Sequence, residues 1–386
     1  MIALTAAILF TPLERIEQPL LLLEDGLIAE VSSRTNRAVP ANCRVVDFGN
    51  AILAPGFIDL HIHGGAGHDV MEAAPEVLPS LEKLLAHHGV CSYFPTTVTA
   101  PLDTTLSALE RLADAIECKS ANGDGHRARP LGIHIEGPFI SHARRGVHPA
   151  ENLLAPTLAR FDRLWQAARG HISLMTIAPE LDGALEVITE ATKRGVCVSL
   201  GHSDAHIDVA RSALAAGARH ATHTFNAMRP LSHRDPGILG LILADSRFTA
   251  DIIVDGIHVD PSVVEIFLRL KGTDRAVLIT DALSATGMPD GHYRLGPFEF
   301  EVKEERCVAG GRLAGSVLTM DRALRNLMQF VHLDFEQALR TATLNPARVT
   351  GVSARRGVLA AGAEADIAVL NPQYEVIKTL VHGVGV

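Results

Sequence analysis

At 386 residues, 47% of them hydrophobic and 20% charged, the chain has the make-up of a globular protein larger than one minimal domain. A formal net charge of −9 offers no basic footprint and argues against nucleic acid or an anionic membrane as the main partner. An anionic small molecule stays open, because local arginines can outweigh the global sign.

The opening stretch MIALTAAILFTPLERIEQP lacks a basic n-region, and Pro12 and Glu14 interrupt its apolar run. It reads neither as a signal peptide nor as a membrane span. The five cysteines (Cys43, Cys91, Cys118, Cys197 and Cys307) are scattered, odd in number and without C-x-x-C spacing. That pattern suits reduced thiols in the cytoplasm. Residues 1–54 continue as short strands and turns (LLLEDGLIAEV, CRVVDFGNAILAP).

From residue 55 to 347 the texture changes. Short β-branched runs alternate with helical patterns: GFIDLHIHG, CSYFPTT, LGIHIEGPF, ISLMTIAPE, VCVSLGHSD, HATHTFNAM, FTADIIVDG and RAVLITDAL. Helical candidates between them include PEVLPSLEKLLAHHG, LDGALEVITEATKRG, AHIDVARSALAAG and PSVVEIFLRLKG; Gly89, Gly195 and Gly217 close three of them. Eight strand–helix units in roughly 230 residues predict an α/β fold, a (β/α)8 TIM-type barrel. A doubly wound open sheet competes, but no G-x-G-x-x-G follows the first strand. The stretch from about Gly287 to Gly315 reads as a hairpin inserted after strand eight. Residues 348–386, with RGVLAAGAEADIAVLNPQYEVIKTLVHG, resemble the N-terminal texture, so both ends are expected in one small β-sandwich.

Barrel enzymes carry their chemistry at the C-terminal strand ends. Here those ends bear His61 and His63 (first), Glu136 (third), His202 (fifth), His223 (sixth) and Asp281 (eighth), with His258 after the seventh. His61 and His63, two apart on a strand, face the same way. Singly, each has an ordinary reading. Glu136 or Asp281 could cap a turn, His223 could be a satisfied core histidine, and His202 could orient a loop whose Ser203 and Asp204 look like helix N-caps. Together, four imidazoles and two carboxylates at one barrel end are the donor set of a divalent transition ion such as zinc or iron. The set suffices for two ions: His61, His63 and Asp281 on one, His202 and His223 on the other, with Glu136 bridging. Such an ion lowers the pKa of bound water from about 15.7 to roughly 7. Asp281 is the candidate acid–base group.

H-x-H after strand one, His after strands five and six, and Asp after strand eight resemble the amidohydrolase superfamily. Many dinuclear members bridge their metals with a carboxylated lysine on strand four, but ISLMTIAPE has none, which leaves Glu136. With PGFIDLHIHG, HIEGPF, SLGHSDA, ATHTFNAM, DGIHVD, LITDAL and LAGSVLTM in order, the chain is similar to the N-acetylglucosamine-6-phosphate deacetylases over nearly its full length. The resemblance implies hydrolysis of an N-acetylated amino-sugar 6-phosphate. It implies one or two metal ions held by Glu136, His202 and His223, with catalysis by Asp281. Substrate contacts would come from Asn226, Ala227, His258, His148 and Ala314, and Arg234 would reach the phosphate of a neighbouring subunit in a homodimer. Some members replace H-x-H with Q-x-N and use a single metal; here His61 and His63 either hold a second ion or position water or substrate. Arg144, Arg145, His148, Arg229 and Arg234 are expected to gather positive charge beside the site, although Arg144 and Arg145 also fit a solvated surface pair. Competing readings are an N-acetylgalactosamine-6-phosphate or other N-acyl substrate, and a non-catalytic barrel scaffold.

Overall fold

The eight β-branched runs become eight parallel strands. A computed structural model of the chain describes residues 1–72, 77–118 and 126–385. The strands are Phe57–Ile62, Val90–Thr97, Ile133–Glu136, Ile172–Ile177, Cys197–Leu200, His220–Ala221, Ala250–Ile253 and Ala276–Ile279. The first six pair in sequence order, the last two pair with each other, and all these pairings are parallel. Hydrogen bonds close the ring at both remaining seams. Thr224 N donates to the Asp251 carbonyl at 2.9 Å between strands six and seven, and Asp281 N donates to the His61 carbonyl at 2.9 Å between eight and one. The fold is the TIM-type barrel that the strand–helix alternation predicts.

Local chemistry sets the helix limits. Pro261 opens the Pro261–Lys271 helix, where a missing N–H costs nothing, and Asp260 caps it by accepting from Ser262 N at 2.8 Å. The helices Leu78–His87, Ala184–Lys193 and Ile207–Ala216 end just ahead of Gly89, Gly195 and Gly217. The expected start of the first lies partly outside the described residues. Ser203 and Asp204 are not helix caps: the helix begins at Ile207 after His206, and both side chains are engaged elsewhere.

The insertion after strand eight is larger than a hairpin. It forms a four-stranded antiparallel sheet, Gly291–Leu295, Phe298–Lys303, Arg306–Ala309 and Arg312–Leu313. The second of its turns is made by Glu304 and Glu305, both at positive φ (49° and 63°), and two glutamates carry no turn signal in sequence.

The chain ends supply two further sheets. One orders Leu27–Ser33, Pro19–Glu24, Ile2–Thr5 and Arg44–Asp47; the other orders Val376–Leu380, Ile367–Leu370, Ile52–Pro55, Ile8–Phe10 and Arg15–Glu17. Leu4, Leu21 and Ile28 from the first pack with Leu9, Leu53, Ile367 and Val369 from the second in a cluster apart from the barrel core. All five cysteines are free thiols. No helix among the described residues is long and apolar enough to cross a membrane.

Candidate active site

Glu136 is the hub. Its Oε1 lies 3.0 Å from His223 Nε2, 3.3 Å from His202 Nε2 and 3.6 Å from His61 Nε2. Its Oε2 lies 3.3 Å from His63 Nε2 and 3.4 Å from His148 Nε2. Asp281 Oδ1 completes the opposite side, 3.3 Å from His63 Nε2 and 3.5 Å from His61 Nε2. Two sets thus share one carboxylate: His61, His63 and Asp281, and His202 and His223. Every one of these groups is buried.

The turns that deliver them depart from strand geometry. His202, His223 and Asp281 take φ of 47°, 31° and 50°, left-handed values that cost a non-glycine residue about 1–3 kcal/mol each. Gly137, directly after Glu136, sits at φ 79°, and a Cβ there would stand 2.1 Å from Thr99 Oγ1. Only glycine fits that approach.

Beneath the ligand atoms a polar floor holds these backbones. Asp59 accepts from Thr280 Oγ1 at 2.6 Å and from the His61 and Thr280 amides at 3.3 Å, tying strand one to strand eight. Asp251 accepts the His223 amide and stands 3.2 Å from His220 Nε2. Both strands showed an acid within an apolar run; Asp59, His61 and His63 occupy alternate positions and so share one face.

The donor atoms fit a transition ion. Ligand atoms about 2.0–2.2 Å from one tetrahedral ion stand roughly 3.3–3.6 Å from each other. Here His202 Nε2 and His223 Nε2 are 3.0 Å apart, and His61 Nε2 and His63 Nε2 are 3.1 Å apart. His63 Nδ1–H donates to the Thr96 carbonyl at 3.0 Å and His202 Nδ1–H to the Arg144 carbonyl at 2.9 Å. Those bonds fix the tautomer that turns each Nε2 lone pair inward, as the outer partners of metal-bound histidines do. Lone pairs and carboxylates converging in a buried space call for positive charge.

The protein alone meets that demand with protons. Burial works against a charged His63, yet Asp281 and Glu136 outweigh it and raise the ring to about 10. Burial is likewise overcome at His223 by Glu136, which lifts it to about 9. Asp281 goes the other way: burial favours its neutral form, but His61 and His63 hold it down at about 2. His148 is pushed to about 4, chiefly by burial. Both raised histidines lie above their ordinary value of 6.5, so their stabilisation is complete below pH 6.5 and lost as pH rises through about 9–10. Chelator-treated protein should therefore melt at a lower temperature at pH 9.5 than at pH 7. Divalent metal, which replaces those protons, should abolish the drop, as thermal denaturation with and without metal would register.

Above the cluster lies a cavity of about 250 Å³ lined by His63, Glu136, His148, His202, His223 and Asp281. Asn226, Ala227, His258 and Ala314 also line it. Asn226 Nδ2 has no hydrogen-bond partner. His258 Nδ1–H donates to Asp255 Oδ2 at 2.6 Å, leaving Nε2 for the cavity. His148 lies deeper than a substrate loop implies: with Glu136 and His202 it forms a metal-capable group of its own.

The expected arginine cluster does not assemble. Only Arg144 lines the cavity, and its Nε is paired with Asp204 Oδ1 at 2.8 Å. Arg229 is spent on Asp204 (3.1 Å) and Asp235 (2.6 Å), Arg145 donates to the His142 carbonyl at 3.0 Å, and Arg234 is exposed outside the cavity. Sequence reading passed over Glu180, which accepts from Ser203 Oγ at 2.7 Å and Asp204 N at 2.6 Å beside His202. Its signal was an acid at the end of strand four.

Residues 52–386 match the amidohydrolase family, and the chain belongs to it. It is 38% identical to the N-acetylgalactosamine-6-phosphate deacetylase of Escherichia coli O157:H7, over 94% of this chain and 93% of that one. It is 40% identical to the N-acetylglucosamine-6-phosphate deacetylase of Bos taurus, over 87% and 84%. The crystal structure of N-acetyl-D-glucosamine-6-phosphate deacetylase from Mycobacterium smegmatis matches with a TM-score of 0.91 at 34% identity, covering 99% of each chain. A mutant of that enzyme in complex with N-acetyl-D-glucosamine-6-phosphate also matches with a TM-score of 0.91 at 34% identity, covering 99% of this chain and 98% of that one.

Proposed function

We propose that the chain hydrolyses N-acetyl-D-glucosamine 6-phosphate to glucosamine 6-phosphate and acetate. The observation that carries this reading is Glu136 standing between two sets of inward-facing imidazoles with Asp281 beside them. Glu136, His202 and His223 would hold one divalent ion, zinc or iron by donor type, and His61, His63 and Asp281 offer the seat of a second. Bound there, the ion supplies Lewis acidity and an acidified water at neutral pH. Asp281 takes the water's proton as the acetamide carbon is attacked and returns it to the nitrogen as the C–N bond breaks. His258 and the unpartnered Asn226 amide grip the sugar phosphate with Ala227, while His148 and Ala314 border it. Arg234, exposed at the surface of its own chain, reaches the phosphate from a second subunit of a homodimer. The division into residues 55–347, a catalytic barrel, and residues 1–54 with 348–386, a small β-sandwich, belongs to the same proposal, as does a cytoplasmic setting.

A second substrate, N-acetylgalactosamine 6-phosphate, is favoured by the relative of that activity at 38% identity. Acetate release from both sugar phosphates, with and without a chelator, tests the proposal. We expect turnover of the gluco epimer that a chelator abolishes and added zinc or iron restores. Turnover that a chelator leaves untouched would sink the metal-dependent reading, and preference for the galacto epimer would reassign the substrate. Elemental analysis counts the ions.

A further inference from the structure

The cavity has two unlike sectors. Asn226, Ala227 and His258 form a polar one, carried by the loops after strands six and seven. The other is apolar: Val98 follows strand two, Leu283 lies just beyond Asp281, and Leu295 comes from the inserted sheet. It rises on both sides of strand one, which leads directly into His63. Val98, Leu283 and Leu295 are at most 3% exposed and belong to a hydrophobic cluster of their own with Phe300, Val302 and Cys307 of the insertion.

This sector is held firmly. The Gly296 amide donates to Asp69, Ser284 Oγ donates to the Arg294 carbonyl at 2.8 Å, and Arg312 Nη1 donates to the Gly146 carbonyl at 3.0 Å. Gly296, at φ 50°, lets the turn beside Leu295 press on Val98: a Cβ there would stand 2.7 Å from Val98 Cγ1. Such packing leaves little give for an added group.

We infer that Leu295 and Val98, backed by Leu283, form the wall that selects the acyl group, restricting hydrolysis to two-carbon N-acyl chains. The inference rests on the deacetylase reading above. With the sugar phosphate in the polar sector, the apolar one is left to receive the methyl of the acetamide. Each added methylene then meets a packed surface, and one methylene in an apolar pocket changes kcat/KM by roughly 10- to 200-fold.

The test compares kcat/KM for N-acetyl-, N-propionyl- and N-butyrylglucosamine 6-phosphate, read as amine release by metal-loaded enzyme. Wild type should prefer acetyl over propionyl by roughly tenfold or more. Leu295→Ala and Val98→Ala should each narrow that ratio by about tenfold, admitting propionyl first. The ratio is taken within one preparation, so a partly inactive variant still reports. Leu295→Val, which keeps most of the packing, should narrow it less and carries the comparison where Leu295→Ala does not fold. An unchanged ratio across folded variants overturns the inference, as does loss of all three substrates in folded, metal-loaded variants. Wild type inactive on all three overturns the deacetylase reading itself, and the wall with it.

Discussion

Asp281→Asn should lower kcat by roughly 10²- to 10⁴-fold while at least one metal ion per subunit stays bound, because loss of a general acid–base group costs that much and the change removes little else. Asparagine has the same shape and keeps an oxygen towards His61 and His63. The backbone bonds that set the Asp281 turn, its amide to the His61 carbonyl at 2.9 Å and its carbonyl to the Ser316 amide at 2.8 Å, do not involve the side chain. What disappears is a carboxylate that the neighbouring imidazoles keep ionised against its burial. Steady-state turnover and elemental analysis on the same sample decide it. Near-normal turnover would remove Asp281 from the acid–base role, and loss of all metal would make it a ligand first.

How far the sequence could be read follows from which distances are local. Strand ends are local: H-x-H at 61 and 63, and single acids or imidazoles closing runs three, five, six and eight, mark one rim once a barrel is assumed. Convergence on Glu136 follows from closing the ring. What was not legible lies where the chain leaves regular geometry. His148 reaches Glu136 from a loop with two short 3₁₀ turns, His142–Arg144 and Ala150–Asn152, which have no periodicity to read. The left-handed turns at His202, His223 and Asp281 have no glycine to announce them. The arginines failed as a group because proximity in sequence says nothing of partners: Asp204 and Asp235 had already claimed Arg144 and Arg229. The inserted sheet was underestimated since its second turn uses Glu304 and Glu305, which pattern as strand surface.

Glu136→Gln should separate metal binding from catalysis in the opposite sense, losing both together. The side chain keeps its size, but the charge facing His61, His63, His148, His202 and His223 is gone. An amide is a weaker ligand than a carboxylate, and its NH₂ must point at one imidazole set, spoiling a shared position. Removing even an outer-shell partner costs metal sites 10- to 100-fold in affinity. A group placed between both sets should cost at least about 100-fold on the same scale. The variant should therefore emerge from dialysis with little metal and turn over slowly even when metal is resupplied in excess. The fold should persist, because the floor beneath the site is held by Asp59 and Asp251 rather than by Glu136. The proton balance changes with it. At His223 the Glu136 carboxylate is the chief force opposing burial, so its removal lets desolvation pull that imidazole down from about 9. The alkaline loss of stability in chelator-treated protein should shrink accordingly. A Glu136→Gln protein that keeps wild-type metal content through dialysis would refute Glu136 as a metal ligand.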